Sequence, residues 1–295
     1  MSSWILTEEM ILPQAKLQYQ LEDGRLLLCS SQVFIIYDIS TGKNTRLFSN
    51  KGTTYCICQI SDELVAFGLS GSILIYNIKT FRIKTEIKTP DIVKCILSSS
   101  NVLMCHIADK LYIYNDFKFE NSSHINYTCK IAMLNDKRII INSHSCGYDQ
   151  LRIHSPNFDF EKKLETPAYT DRYNFASIKY LIPSNDYVFT VNTYDDIRKW
   201  SLKDGSVKTQ SDTQVHINNL CILEDGYILT SNWFELKVWN LDLVCERSFK
   251  LGKSDRGGKN YVIENHIENV CVLQDGRISV IFSKGNTVIY SLSSV

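Results

Sequence analysis

Residues 33–38 read Val-Phe-Ile-Ile-Tyr-Asp, a short run of β-branched and aromatic residues that ends in an aromatic residue followed by an acid. Side chains of this kind favour β-strands, and six similar runs follow along the chain. The rings near the ends of the seven runs, spaced 38 to 51 residues apart, are those of Tyr37, Tyr76, Tyr114, His154, Trp200, Trp239 and Tyr290. Self-similarity at this period indicates a repeat architecture in which each unit packs against its neighbours.

A polar turn lies between two apolar segments upstream of each run. The turn pairs are Asp23-Gly24, Asp62-Glu63, Ser100-Asn101, Asn135-Asp136, Asn185-Asp186, Asp225-Gly226 and Asp275-Gly276. Gly, Asn and Asp tolerate the positive φ of tight strand reversals, so each pair predicts a β-hairpin. Helical periodicity is weak throughout. Each unit therefore reads as four antiparallel strands, with the aromatic residue near the end of the third.

A lone four-stranded sheet of this size cannot bury both faces, so seven in succession are predicted to stack and close into a ring. The predicted fold class is all-β, a seven-bladed β-propeller of four-stranded antiparallel blades forming a single domain over residues 1–295. The predicted blades are 14–49, 53–88, 91–120, 125–164, 175–210, 216–250 and 261–295. The last segment supplies only three strands, so residues 3–8 are predicted to complete the last blade as its N-terminal closing strand.

The units resemble WD40 repeats in length, in the Asp-Gly hairpin before the second strand and in the aromatic residue near the end of the third. The resemblance covers nearly the whole chain in seven copies. Where the family carries Trp-Asp, this chain has pairs such as Trp200-Ser201 and Trp239-Asn240, and no Gly-His pair opens a unit. His216 and His266 each lie nine residues before an Asp-Gly pair. The resemblance implies that side-chain packing and backbone ladders carry more of the blade stability than the family's His-Ser-Asp-Trp network.

Composition and charge narrow the class of partner. The chain has 32 Lys+Arg against 32 Asp+Glu, a pI near 7.0, and no apolar run long enough to span a bilayer. This balance predicts neither a nucleic-acid partner nor membrane insertion. Ten cysteines without a Cys-x-x-Cys pair predict free thiols in a reducing compartment. Because acids occupy the start of the chain, where a signal peptide carries bases, we expect a cytoplasmic protein, with a nuclear location left open.

The sequence shows no constellation for catalysis. Its six histidines form no His-Glu-x-x-His or short His-x-His motif, and no Gly-x-Ser-x-Gly is present. Cys56 with Cys58, and His144 with Cys146, place two possible ligands on one strand face, but a structural zinc needs four. We therefore expect no enzyme, no metal and no cofactor. The alternative left open is a propeller enzyme, or a binder of a metal or small ligand, that uses the central channel.

Aromatic residues in the turns between second and third strands are the strongest sign of a binding face. They occur in three consecutive units, and two longer intervals, 164–174 and 251–261, flank them. Aromatic residues are enriched at protein interfaces. The predicted anchors are Tyr148, Tyr194, Trp233 and Phe234, and the residues expected to support them are Tyr169, Arg172, Tyr173, Lys253 and Arg256.

These residues predict a non-enzymatic interaction module or scaffold that presents one propeller face to a peptide or protein partner within a larger complex. Two alternatives stay open. Each ring could fold over its own blade, because single exposed apolar residues need no functional explanation. The domain could also fill space in a complex without a compact binding site. The periodic rings, from Tyr37 to Tyr290, are instead predicted to pack inside the blades.

Overall fold

The computed structural model describes residues 4–30, 33–49, 52–99, 102–124, 130–145, 148–156, 159–165, 178–211, 216–223, 226–251, 253–255, 262–284 and 286–294. These residues form 29 β-strands and no helix, so no helix able to cross a membrane occurs among them. The chain divides into two compact units, Met1–Asn50 with Asp212–Val295, and Lys51–Ser211. The predicted all-β class, built of four-stranded antiparallel sheets, is confirmed.

The first unit begins with strand β1 (Trp4–Leu12) and then a four-stranded antiparallel sheet. The strands of this sheet are β2 (Leu17–Gln20), β3 (Leu26–Cys29), β4 (Val33–Tyr37) and β5 (Asn44–Ser49). Gly24 has φ 85° in the β2–β3 turn, and its amide donates to the Leu21 carbonyl at 2.9 Å. The Asp-Gly pair thus forms the hairpin that its residue types predict.

The second unit opens with a seven-stranded sheet. Its strands are β6 (Cys56–Gln59), β7 (Leu64–Gly68), β8 (Ser70–Asn77), β9 (Arg82–Ser99), β10 (Val102–Ile107), β11 (Lys110–Asn115) and β12 (Lys118–His124). The 18-residue β9 pairs with β8 through residues 82–92 and with β10 through residues 93–99. Two four-stranded repeats, β6 to β9 and β9 to β12, therefore share strand β9.

The predicted boundary between segments 53–88 and 91–120 falls inside β9. Thr89, Pro90 and Asp91 lie just before the change of partner, between the positions Lys88 and Ile92 that pair with β8. Pro90 holds its own φ near −65° and keeps the preceding residue extended, so the connection continues as a strand. The pairing with β8 skips from Lys88 to Ile92, and this irregularity absorbs the change of partner.

Two further four-stranded antiparallel sheets complete the second unit. The first contains β13 (Ile131–Met133), β14 (Ile139–Ser145), β15 (Tyr148–His154) and β16 (Phe160–Glu165). The second contains β17 (Ile178–Pro183), β18 (Tyr187–Asn192), β19 (Asp196–Ser201) and β20 (Val207–Ser211). Leu151 and Ile153 of one sheet share a buried cluster with Val188 and Trp200 of the next, so these sheets pack face to face.

The chain then returns to the first unit with one four-stranded sheet, one hairpin and the last strands. The sheet contains β21 (Asn219–Ile222), β22 (Ile228–Ser231), β23 (Glu235–Trp239) and β24 (Cys245–Lys250). The hairpin is β25 (Lys253–Asp255) with β26 (Val262–Asn265), in the interval that the sequence suggests is a loop. The last strands are β27 (Ile267–Val272), β28 (Ile278–Phe282) and β29 (Thr287–Ser294).

Strand β1 joins the two ends of the chain in one sheet, whose order is β1-β29-β28-β27. It pairs antiparallel with β29 from Trp4 opposite Ser294 to Leu12 opposite Thr287. Trp4 is buried, and its ring centroid lies 5.0 Å from that of Tyr227. The predicted pairing is present, and the strand runs four residues beyond the predicted segment 3–8.

Most of the periodic aromatic residues lie inside the sheets, as predicted. Tyr76, Tyr114, Trp200, Trp239 and Tyr290 are buried, whereas Tyr37 is half-buried. The Trp200 indole Nε1–H donates to Thr190 Oγ1 at 2.9 Å, and the Trp239 indole Nε1–H donates to Thr230 Oγ1 at 2.8 Å. Two sheets therefore keep an indole–hydroxyl bond between their second and third strands, where it satisfies the only polar group of the buried ring.

Cysteine thiols on the first strand of one four-stranded repeat contact the first strand of the next repeat. Cys56 Sγ lies 3.3 Å from the Val93 carbonyl oxygen, and Cys221 Sγ lies 3.4 Å from the Val270 carbonyl oxygen. Burial raises the pKa of the Cys221 thiol to about 12, which keeps it protonated as a donor. The eight cysteines in the described part of the chain are free thiols, whereas Cys129 and Cys146 lie outside it.

Candidate functional site

The candidate site begins with an ordered turn between β22 and β23. The Asn232 side-chain oxygen accepts hydrogen bonds from the amides of Phe234 at 2.6 Å and Glu235 at 2.8 Å. An Asn side chain that bonds the backbone two and three residues ahead stabilises a tight turn. On this turn the Trp233 side chain is 41% exposed and Phe234 is half-buried. The sequence therefore places a large ring at the surface on a hydrogen-bonded backbone.

Two other segments hold the same turn through its carbonyl groups. The Trp233 carbonyl accepts from the Ile267 amide at 2.8 Å, and the Phe234 carbonyl accepts from the Leu251 amide at 2.8 Å. Ile267 starts β27 and Leu251 follows β24, so the turn is tied to the end of its own sheet and to the start of the next. Little backbone freedom is left to be lost when a partner binds.

Three rings surround the indole of Trp233. The ring centroids of His216, His266 and Phe234 lie 6.4, 6.2 and 6.5 Å from that of Trp233. The two imidazoles are tilted by 40° and 51°, and the Phe234 ring is nearly perpendicular at 85°. We call His216, Trp233, Phe234 and His266 the Trp233 patch.

The histidines of the patch are placed differently. His216 is exposed just before β21. His266 is half-buried before β27; its amide donates to Ser283 Oγ at 3.1 Å, and its carbonyl accepts from the Ser283 amide at 2.9 Å. Its Nδ1 is buried and has no hydrogen-bond partner in the described part of the structure. The patch thus offers apolar ring surface beside the exposed imidazole of His216, a combination suited to binding a side chain of mixed polarity.

The remaining predicted anchors lie in the other compact unit. Tyr194 is 47% exposed in the turn between β18 and β19, where the Asn192 side chain accepts from its amide at 2.9 Å. Tyr148 is the first residue of β15, not a turn residue, and only its backbone is described. The structure therefore places Tyr194 on a turn as predicted, and a common face with Trp233 stays a prediction.

Most of the predicted supporting residues lie outside the described part of the chain. Tyr169, Arg172, Tyr173 and Arg256 lie outside the described residues, and Lys253 is described only as the first backbone position of β25. Their contribution to a binding face stays a prediction.

Sequence reasoning did not assign His216 and His266 to the site. Each lies nine residues before an Asp-Gly pair, so they occupy equivalent positions in consecutive repeats. The sequence signal was this equivalence, which places both residues next to a first strand on either side of the Trp233 turn. Comparison with the family's histidine position alone does not reveal this equivalence.

Within the described ranges, no three His, Cys, Asp or Glu side chains are placed to hold one metal ion. The Cys56 thiol instead contacts the Val93 carbonyl. The side chain of His144, and all of Cys146, lie outside the description.

This chain resembles known structures in its fold. No family model matches the chain, and no curated protein matches it. It is similar to crystal structures of the extracellular domain of a proposed one-component or hybrid two-component system from B. thetaiotaomicron, with TM-scores of 0.71 and 0.73 and 17% identity. These matches cover 98% and 96% of this chain but only 40% of the other chains.

A third similar structure is a chain in the crystal structure of a mitotic checkpoint complex. Its TM-score is 0.71 at 13% identity, over 98% of this chain and 90% of that one. Similarity at this level of identity shows a shared propeller-like all-β fold alone, because one fold supports many functions.

Proposed function

We propose that this chain is a seven-bladed WD40-like propeller acting as a non-enzymatic interaction module, with the Trp233 patch as a binding site for a peptide or protein. Seven sequence repeats, the four-stranded sheets, the pairing of β1 with β29 and the propeller-like neighbours support the fold. In this proposal the sheets stack in sequence order and close into a ring. The function rests on the exposed indole and its ordered surroundings.

The observation that carries the proposal is a 41% exposed tryptophan on a turn held by hydrogen bonds from three segments. Tryptophan dominates many protein interfaces because one ring buries a large area with few rotatable bonds. An ordered backbone reduces the entropy cost of binding.

The partner that fits this patch carries an apolar or aromatic side chain together with a hydrogen-bonding group. The ring faces supply contact area and the exposed His216 imidazole supplies a donor or acceptor. Membership of a larger assembly is part of the proposal, and the similarity to one chain of a checkpoint complex supports it. Tyr194 is a second proposed contact on the other unit.

Quantitative affinity capture with the full chain tests the proposal. Wild-type protein, Trp233→Ala and Phe160→Ala are used in parallel on lysate from the source cells, and recovered proteins are repurified for direct binding measurements. Phe160 is 59% exposed and serves as a matched aromatic control. We expect Trp233→Ala to weaken binding of a purified partner about tenfold or more, with unchanged thermal unfolding.

Equal partner affinity for wild type and Trp233→Ala would remove the Trp233 patch as the binding site. A binding loss shared by Phe160→Ala would point to general stickiness of exposed aromatic residues. A stoichiometric metal in the purified protein would favour the central-channel alternative over an interaction module.

A further inference from the structure

A second surface is marked by a turn that carries a phenylalanine where other repeats carry glycine. In the turns after β4 and β8, the Asp38 and Asn77 side chains each accept two amide hydrogen bonds. The fourth residue after each has positive φ, 70° at Gly42 and 58° at Phe81. The turn after β19 places Gly205 in the same position, at φ 78°. This turn therefore does not need a large side chain.

The corresponding turn of the following repeat, between its third and fourth strands, also carries a phenylalanine. Between β11 and β12, Asp116 and Phe117 have φ 46° and 64°. A two-residue turn with two positive φ values favours glycine at its second position. A bulky residue with positive φ is a backbone outlier that costs free energy. Two corresponding turns of one sheet thus hold phenylalanine against its conformational preference, and Phe81 is 45% exposed.

Beside Phe81 runs an open strand edge. The first half of β9 hydrogen-bonds to β8 on one side, and no strand of the described chain pairs with its other side. Unpaired N–H and C=O groups on such an edge can accept another extended chain. Ile83, on this edge, is 54% exposed. A depression of about 360 Å³, lined in part by Leu64, Thr80 and Ile83, lies next to it.

The charge of this edge is positive. Four cations lie on or next to it, and two of them, Lys79 and Lys88, form ion pairs with carboxylates at 3.2 and 2.5 Å. Arg82 and Lys84 make no ion pair with a described residue, and Lys84 Nζ lies 5.2 Å from the Phe117 ring centroid. Lys84 also helps to lower the pKa of Glu63, which lines the same depression, and the four cations exceed the two carboxylates, Glu63 and Glu86, by two charges. A second copy of this edge would be repelled, whereas an acidic chain is attracted.

We propose that the β9 edge, defined as residues 81–88, binds an extended acidic peptide segment that adds as a further strand. Apolar side chains of that segment contact Phe81 and Ile83, and its carboxylates pair with Arg82 and Lys84. This surface is separate from the Trp233 patch, and its proposal stands whether or not the patch binds a partner.

Fluorescence polarisation with the purified full chain tests it. The probe is a labelled, capped peptide, Gly-Glu-Val-Asp-Phe-Glu-Val-Asp-Gly, and its control replaces every acidic residue by lysine. We expect the acidic peptide to bind at least about tenfold more tightly than the basic one, with affinity falling as salt rises. Methylating the backbone nitrogens of alternate residues distinguishes strand addition. One of the two alternate sets abolishes binding and the other leaves it, because only one edge of a strand faces β9.

Variants of the protein complete the test. Arg82→Glu with Lys84→Glu is expected to weaken acidic-peptide binding about tenfold or more, whereas Lys16→Glu with Lys43→Glu, an equal charge change elsewhere, is not. Phe81→Gly is expected to lower affinity about fivefold while leaving the melting temperature unchanged or higher, because glycine relieves the positive φ.

Equal binding of the acidic and basic peptides would overturn the proposal, as would wild-type affinity in the Arg82→Glu, Lys84→Glu protein. Loss of binding with both methylated sets, or with neither, would exclude strand addition. Trp233→Ala serves as the remaining control: wild-type peptide affinity in that variant shows that the two surfaces act independently.

Discussion

Trp233 and Trp239 lie six residues apart in the same sheet and have opposite environments. Trp239 is buried at the end of β23, and its indole bonds to Thr230. Trp233 lies in the turn before β23, 41% exposed, among the rings of His216, His266 and Phe234. Trp239 follows the repeat period and Trp233 does not. The comparison teaches that periodic aromatic residues hold the sheets, whereas non-periodic ones in turns are available for other work.

The largest effect is expected at the periodic ring. Trp239→Ala removes a buried indole and leaves Thr230 Oγ1 without its donor, so we expect a loss of about 3–5 kcal/mol in the free energy of unfolding. Urea unfolding measures it. A loss below about 1 kcal/mol would mean that the site collapses without a cavity, and the contrast with Trp233 would then lose its basis.

The same contrast extends to glycines inside and outside the strands. A methyl group on Gly68 would overlap Cys56 Sγ and lie 2.9 Å from Val93 Cγ1, whereas one on Gly52 meets no atom within 4 Å. We expect Gly68→Ala to cost about 1–3 kcal/mol and Gly52→Ala to change stability little. Adding Cys56→Ala to Gly68→Ala should restore only part of the loss, because the Val93 contact remains. Full restoration, seen by urea unfolding, would assign the clash to the thiol alone.

A smaller effect is expected in a hairpin turn. The Asp275 carboxylate bonds to the Arg277 guanidinium at 2.6 and 2.9 Å, and this hydrogen bond lowers its pKa below 3.8. A depressed pKa contributes stability above the unfolded value, and that contribution is lost as pH falls through the folded value. Asp275→Asn should lower the melting temperature by about 1–2 °C at pH 7, and the difference should shrink as the pH falls through the lowered pKa. A difference that persists at low pH would assign the effect to packing.

The smallest effect on stability is expected at the exposed indole. Trp233→Ala should change the free energy of unfolding by no more than about 0.5 kcal/mol, since the turn is fixed by the Asn232 side chain and by backbone bonds. Calorimetry beside the Trp239→Ala protein gives the comparison directly. A loss comparable to that of Trp239→Ala would show that the Trp233 patch is part of the core.

The strand pattern could be predicted because it follows from the types of side chain along the sequence. Asp-Gly pairs such as Asp23-Gly24 mark hairpins, and buried rings such as Trp200 mark third strands. The continuous β9 could not be predicted in this way, because Pro90 ordinarily ends a strand and here continues one. The hairpin of β25 and β26 was likewise hidden in a stretch of polar and glycine residues.

The candidate sites were harder to predict because they depend on contacts between turns. Trp233 was recognised from its position, but its contact with His216 and His266 joins segments 17 and 33 residues away in sequence. Phe81 was not recognised at all, because residue type does not report a positive φ for phenylalanine. Comparing the repeats turn by turn, Gly42 against Phe81 and Gly205, would have singled it out.

The sheet of β1, β29, β28 and β27 imposes an order on events during synthesis. Strand β1 leaves the ribosome first, yet its partner β29 is complete only when residue 294 has been added. At translation rates of about 5–20 residues per second, β1 waits for about 15–60 seconds. Throughout that interval Trp4 and Leu12 have no sheet to be buried in. Until β29 is added, the unpaired β1 therefore exposes apolar side chains that favour non-native association.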